Sequence, residues 1–217
     1  MGRGTLKKPC VPCRKLIQHN QATLLMKKTG LFIAAIVGVI LIWGIGAYNG
    51  LVKKQEAVAT AWGQVENVYQ RRAELVPNLV ALVQSYQEFE QSTILAVTEA
   101  RSIANSMTLN IENYTESDLQ NFGALQDNLS NALNRLLIAV ENYPDLKANE
   151  SYLALQAQLV GCENRILTER ERFNEAAKTY NQSLRHFPTN LIAKMFGFER
   201  RPYFEAEAGA ERVPETF

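Results

Sequence analysis

VATAWGQVENVYQRRAELVPNLVALVQSY, residues 58–86, decides the fold class of this 217-residue chain. Val58, Trp62, Val65, Tyr69, Val76, Leu79, Val83 and Tyr86 recur at steps of three and four, the a/d stripe of a helix packed against other helices. No later stretch alternates β-branched residues with period two, so strands are not indicated. Two residues disturb the stripe. Arg72 stands where an apolar residue belongs, and is expected to lay its stem on the core with its head in water; a polar layer fixing register is the other arrangement. Pro77 lacks an amide hydrogen and disfavours helix for the residue before it, so a turn is expected there.

Outward from this stretch the same periodicity continues. The polar segment 106–117 ends at Ser117-Asp118-Leu119-Gln120, which has the form of a capping box. The helix after it carries Leu119, Phe122, Leu129, Leu133, Leu136 and Val140, and stops at Asn142-Tyr143-Pro144. Asn149 is placed to cap a last long helix bearing Tyr152, Leu155, Leu159, Cys162, Ile166, Phe173, Ala177, Tyr180, Leu184 and Phe187. With a turn at Pro77, four segments of similar length predict an all-α, antiparallel up-and-down four-helix bundle; with only a kink, a three-helix bundle with a long first helix remains.

Upstream lies LFIAAIVGVILIWGIGA, residues 31–47, inside an uncharged run from Thr29 to Val52. Leu31, Phe32, Ile33, Ile36, Val37, Val39, Ile40, Leu41, Ile42, Trp43, Ile45 and Ala47 predict a transmembrane helix, with Trp43 at the interfacial end. Small-residue pairs suited to signal-peptidase cleavage are poor here, so residues 29–48 read as an uncleaved signal anchor. Net charge is +1, yet seven basic and no acidic residues fall in 1–28. That basic leader puts the N-terminus in the cytoplasm and the bundle, residues 49–204, on the periplasmic or extracellular side. It also argues against nucleic acid as a partner, since the positive charge precedes the span rather than marking a folded surface. Met26-Lys27-Lys28 resembles an ordinary bacterial start, which makes residues before it a possible mis-assigned leader. Residues 205–217 read as an acidic, disordered tail.

Chemistry is sparse. Phosphate-loop, nucleophile-elbow and HExxH patterns are missing, and the chain has two histidines. Cys10-Val11-Pro12-Cys13 is half a zinc knuckle at best. Glu163, Glu169, Glu171 and Glu175 interleave with Arg165, Arg170, Arg172 and Lys178, the pattern of a solvated helix face rather than a metal cluster. Cys162 lies on an apolar stripe and reads as a small buried thiol. No catalytic, metal or cofactor residues are therefore assigned; the chain reads as a non-enzyme without cofactors.

Certain motifs resemble the LemA family: Tyr48-Asn49, Trp62, RRAELVPNLV from Arg71 to Val80, and EAR from Glu99 to Arg101. Near the end, TYNQSLRHFPTNLIAKMFGFERRPYFE supplies Tyr180, Asn181, Phe187, Pro188, Asn190, Gly197 and Phe198; Arg71, Arg72, Pro77 and Asn78 are the motif positions of the earlier block. The resemblance implies a bacterial, single-span helical bundle of undefined activity, with some relatives in magnetosome membranes. It also implies a short N-terminus outside, against the charge reading, which is retained. The functional expectation is a non-enzymatic envelope scaffold or adaptor whose partners are the bilayer and other membrane proteins or itself; the alternative is a sensor or ligand-binding bundle. TNLIAKMFGF is expected to dock on the bundle end, the other arrangement laying Leu191, Ile192, Met195, Phe196 and Phe198 on a membrane surface.

Overall fold

The computed structural model describes residues 12–86 and 89–204, with side chains from Leu31 onward. Among these the fold is all-helical: α1 Pro12–Gln84, α2 Gln91–Ser106, α3 Glu116–Val140, α4 Pro144–Lys147, α5 Glu150–Arg185 and α6 Thr189–Met195. The Cys10–Cys13 motif and the tail from residue 205 lie outside the residues whose side chains are described. The chain divides after Asn49 into two units.

In the first unit, the apolar run lies within α1, a helix long and apolar enough to cross a membrane. Its large side chains are exposed: Leu31 is 75% exposed and Ile42 74%. Ala47 alone of the twelve span residues is half-covered. An exposed apolar surface of this size on one helix fits a single membrane span.

The second unit is an antiparallel four-helix bundle of α1, α2, α3 and α5. Its core forms two apolar clusters. One joins Leu51, Val58, Trp62, Val65 and Tyr69 of α1 to Leu119 and Phe122 of α3 and to Ile166, Phe173, Ala177 and Tyr180 of α5. The other joins Val76, Leu79 and Val83 of α1 to Ile94 and Val97 of α2, Leu129, Leu133 and Leu136 of α3, and Leu159 of α5. Hence α1 and α3 run from the first cluster to the second, and α2 and α5 run back.

The turn expected at Pro77 is not there. Helix α1 passes through Pro77, which is exposed, and ends at Gln84. Ser85 terminates it, its hydroxyl donating to the Leu82 carbonyl at 2.6 Å while Tyr86 N and Phe89 N close tight turns on Val83 and Tyr86. The four-helix reading therefore stands with its first corner eight residues later than expected. Trp62 and Ile94 consequently fall in different clusters, whereas a turn at Pro77 would have set residues near 62 beside residues near 92.

The cap of α3 also differs in position. Thr115 is the N-cap: its hydroxyl accepts from Asp118 N, and the Asp118 carboxylate accepts from Thr115 N at 2.9 Å. The box is thus Thr115-x-x-Asp118, two residues before the expected Ser117-x-x-Gln120. These bonds from Thr115 hold the exposed Asp118 carboxyl below its ordinary pKa. Asn149 caps α5, its Oδ1 accepting from Ser151 N and Tyr152 N. The α5 stripe is buried from Tyr152 to Leu184 except for the half-buried Leu155, but Phe187, expected on it, is 80% exposed because α5 has already ended at Arg185.

Helix α2 is too short to wall the first cluster. There the fourth side is non-helical: Met107, Leu109, Ile111 and Tyr114 of the α2–α3 connection, and Phe198, Tyr203 and Phe204 after α6, pack against it.

Candidate functional site

Where the two apolar clusters meet, each long helix contributes polar side chains. Arg72 lies between Tyr69 and Val76 on α1, Gln126 between Phe122 and Leu129 on α3, and Glu163 between Leu159 and Ile166 on α5. The Arg72 side chain is 1% exposed, so its head is not in water as expected. Instead Nη1 donates to Ser130 Oγ at 2.5 Å and Glu163 Oε1 at 2.8 Å. Nη2 donates to Gln126 Oε1 at 2.6 Å and to the Gln126 carbonyl at 3.1 Å. Gln126 in turn donates from Nε2 to the Ala104 carbonyl at the end of α2. All four bundle helices are thereby joined in one polar layer. A guanidinium suits this position because its planar fork serves several acceptors at once. Within the layer, Arg72 Nε is buried without a partner.

A second tier adjoins it. Arg170 Nε donates to Tyr69 Oη at 2.5 Å and Nη2 to Asp127 Oδ1 at 2.8 Å, while its guanidinium lies 5.0 Å from the Phe204 ring centre. Burial pushes the Tyr69 hydroxyl up to about 12, partly countered by the nearby Arg170 and Arg72 cations. Burial disfavours the Arg170 cation, but Tyr69 and Asp127 outweigh it and raise its pKa. Outside these residues a groove of about 980 Å³ runs between α3 and α5, lined by Arg72, Asp127, Ser130, Glu163, Arg170 and Phe204 among others.

The C-terminal segment is held onto the first cluster by two buried or half-buried asparagines two helical turns apart. Asn181 Nδ2 donates to the Arg201 carbonyl at 2.7 Å and Tyr203 Oη at 2.9 Å, and its Oδ1 accepts from Arg201 N. Asn174 accepts from Phe204 N and donates to the Phe204 carbonyl. Phe204 is thereby set flat on Trp62, ring centres 6.0 Å apart, and edge-on to Phe173 at 5.6 Å.

A sequence profile of the LemA family matches residues 61–217. The chain belongs to the LemA family. It is 28% identical over 190 residues to magnetosome protein MamQ 2 of Paramagnetospirillum magneticum, covering 78% of this chain and 70% of that one. Magnetosome protein MamQ of Magnetospirillum gryphiswaldense is 29% identical with the same coverage. Protein LemA of Metamycoplasma hominis is 25% identical, over 84% of this chain and 80% of its own length.

The residues through which the chain resembles LemA proteins are not gathered at one point. Arg72 is at the polar layer. Its neighbour Arg71 is exposed and lines a groove beside Cys162, a free, buried cysteine whose thiol is pushed up in pKa chiefly by burial. Trp62, Tyr180 and Asn181 are buried around the first cluster. Pro77 and Asn78 face outward on α1. Gly197, at φ 72°, ends α6: Phe198 N donates back to the Ala193 carbonyl, the six-residue bond of a Schellman turn, while Phe198 packs on the core. Pro188 and Asn190 are half-buried at the start of α6, with Asn190 Oδ1 buried and unpartnered, and the Phe187–Pro188 bond is cis.

Of the acidic residues read as a solvated face, Glu163 belongs to the layer and Glu169 is 3% exposed, held by Arg172 at 2.8 Å and Arg165 at 3.8 Å. Glu175 conforms to the expectation, pairing with Lys178 at the surface. Among the described residues no cluster of three His, Cys, Asp or Glu side chains is arranged to hold a metal. Sequence reasoning missed Gln126, Ser130, Asp127 and Asn174. Gln126 and Asn174 left a signal: Gln126 stands at the stripe position between Phe122 and Leu129, and Asn174 stands seven residues before Asn181 and so on the same helix face.

Proposed function

We propose that this LemA-family protein is a membrane-anchored, non-enzymatic scaffold, its bundle on the periplasmic or extracellular side. The observation that carries the reading is the Arg72 layer, whose hydrogen-bonding capacity is taken up almost wholly in joining the four bundle helices. A buried charge satisfied within the fold specifies register and rigidity, which a scaffold requires, and leaves little for a ligand. The basic leader supports the orientation through the positive-inside rule. Names of relatives as magnetosome proteins support a role in organising a membrane assembly. Its partners are then other membrane proteins or further copies of itself.

Proximity labelling from the bundle in intact cells tests this reading. It is expected to return a small, reproducible set of membrane proteins, unchanged when Glu163 is replaced by Gln. A set indistinguishable from that of an unrelated anchored bundle would refute it. Orientation is tested separately by placing a cysteine at the exposed Ser106 in a Cys10→Ser, Cys13→Ser background. Reaction with an impermeant maleimide before lysis supports an external bundle, and reaction only after lysis reverses it.

One observation favours a second reading, a ligand-binding bundle: the groove between α3 and α5 brings Arg72, Glu163, Asp127 and Arg170 to its wall. A small polar metabolite that raises the melting temperature of the native protein but not of Asp127→Asn would establish it.

A further inference from the structure

Helix α6 presents two different faces. Ile192, Ala193 and Phe198 pack on the first cluster, whereas Phe187 is 80% exposed, Leu191 59%, Met195 69% and Phe196 56%. Leu191 and Met195 are one helical turn apart on α6, Phe196 follows Met195 directly and Phe187 lies two residues before the helix, so the exposed apolar side chains of this segment form a strip along and beside α6. The surrounding segment 185–201 carries Arg185, Lys194, Arg200 and Arg201 against a single acidic residue, Glu199.

The place of this strip in the bundle matters as much as its composition. Lys54 on α1 donates to Ser183 on α5, so the C-terminal end of α5 is level with residue 54. Because α5 runs antiparallel to α1, residues after Ser183 continue toward the Leu51 end. Only three residues separate Leu51 from Ala47, the last residue of the apolar run, so four Cα-to-Cα steps can span at most roughly 14 Å. The strip therefore belongs to the end of the bundle that is tethered on a short leash to the membrane-crossing segment.

We propose that the exposed face of α6 is a second membrane contact: Phe187, Leu191, Met195 and Phe196 enter the headgroup boundary of an anionic phospholipid bilayer, with Lys194 and Arg200 on its phosphates. A short apolar strip with a basic margin suits the interfacial layer, where both kinds of group are satisfied together. Free, such a strip would bind weakly; tethered, it faces a lipid surface at high effective concentration. The contact does not depend on which side of the membrane the bundle occupies. It rests on the anchored reading above, and the test separates the two.

The full-length protein, with Cys10→Ser, Cys13→Ser and Cys162→Ala, is reconstituted into phosphatidylcholine vesicles with and without phosphatidylglycerol. Single cysteines at Ile40, Glu171 or Met195 carry an environment-sensitive fluorophore, and lipids bearing a nitroxide serve as quencher. The label at Met195 is expected to be quenched at least roughly twofold more than that at Glu171, more strongly with phosphatidylglycerol present. Phe187→Ser with Leu191→Ser should abolish the excess, and Lys194→Glu with Arg200→Glu should reduce it. These side chains are exposed, so the bundle is retained. Quenching at Ile40 but equal, low quenching at Met195 and Glu171 would overturn the proposal and leave the anchor intact. Shielding at Met195 that grows with protein concentration in detergent, without lipid quenching, would assign the face to a second copy and overturn it as well. Absence of quenching at Ile40 would overturn both.

Discussion

The Nε–H of Arg101 donates to the main-chain carbonyl of Ala73 at 2.8 Å, the acceptor that Pro77 leaves without a helical donor. In an uninterrupted helix the amide of residue 77 would bond to that oxygen. Proline has no amide hydrogen, and an unpaired carbonyl beside a core is costly. A side chain from α2 thus supplies what α1 lacks, which is how α1 passes through Pro77 instead of turning. The two motifs containing Pro77 and Arg101, 24 positions apart in the sequence, are one structural device.

This device predicts coupling. Arg101→Met should destabilise the bundle by about 1–2 kcal/mol, the scale of a hydrogen bond from a charged donor. In a Pro77→Ala background the Ala73 carbonyl regains its helical partner, so the same substitution should cost distinctly less. Pro77→Ala alone should stabilise, by less than the roughly 3 kcal/mol of a free helix, since Arg101 already offsets part of the loss. Denaturant melts of the full chain in detergent measure all three; effects additive within about 0.5 kcal/mol would remove the coupling.

At the polar layer, Arg72→Met keeps the stem but strands Gln126, Ser130 and Glu163. A loss of roughly 2–4 kcal/mol is expected, below the full cost of breaking a buried pair because the Glu163 side chain is 37% exposed and can rehydrate. Glu163→Gln, which retains an acceptor for Arg72, should cost about 1 kcal/mol. Equal effects of the two substitutions would show that the fork's other bonds are unimportant.

Trp62 reports on the C-terminal segment. With Trp43→Phe removing the other indole, Phe204→Ala uncovers one face of Trp62 and should shift its emission to longer wavelength. Asn174→Ala and Asn181→Ala, which release the main chain at Phe204 and Arg201, should give the same shift without touching the indole. An unchanged spectrum in all three would mean that the segment does not shield Trp62 in solution.

Cys162 yields a pH prediction. Burial raises its thiol pKa, so the folded state favours the protonated form. Its contribution to stability is present in full below the unfolded value of roughly 8.5 and is lost as pH rises through the folded value. In a Cys10→Ser, Cys13→Ser protein, the midpoint of Cys162 reactivity toward a thiol reagent should lie above that of a free cysteine. A midpoint at or below it would show that Arg71, Arg72 and Arg165 outweigh burial.

What could be read from the residues alone is what periodicity and local chemistry determine. The apolar run at 31–47, the stripes of α1, α3 and α5, and the Asn149 cap each involve residues within a turn or two of one another, so their spacing is their structure. A capping box at the start of α3 was legible in kind and misplaced by two residues, since Thr115 and Ser117 offer the same hydroxyl. Tertiary structure decided the rest. Pro77 looks like a corner until Arg101 is seen at Ala73; Arg72 looks like a surface residue until α3 and α5 bring Ser130, Gln126 and Glu163 around it. Phe204 looks like the edge of a tail until Asn174 fixes it on Trp62. In each case the deciding partner is 28 to 91 positions away along the chain. Such a bond exists only after the helices have packed, because it is the packing that excludes water and leaves each polar group no other partner.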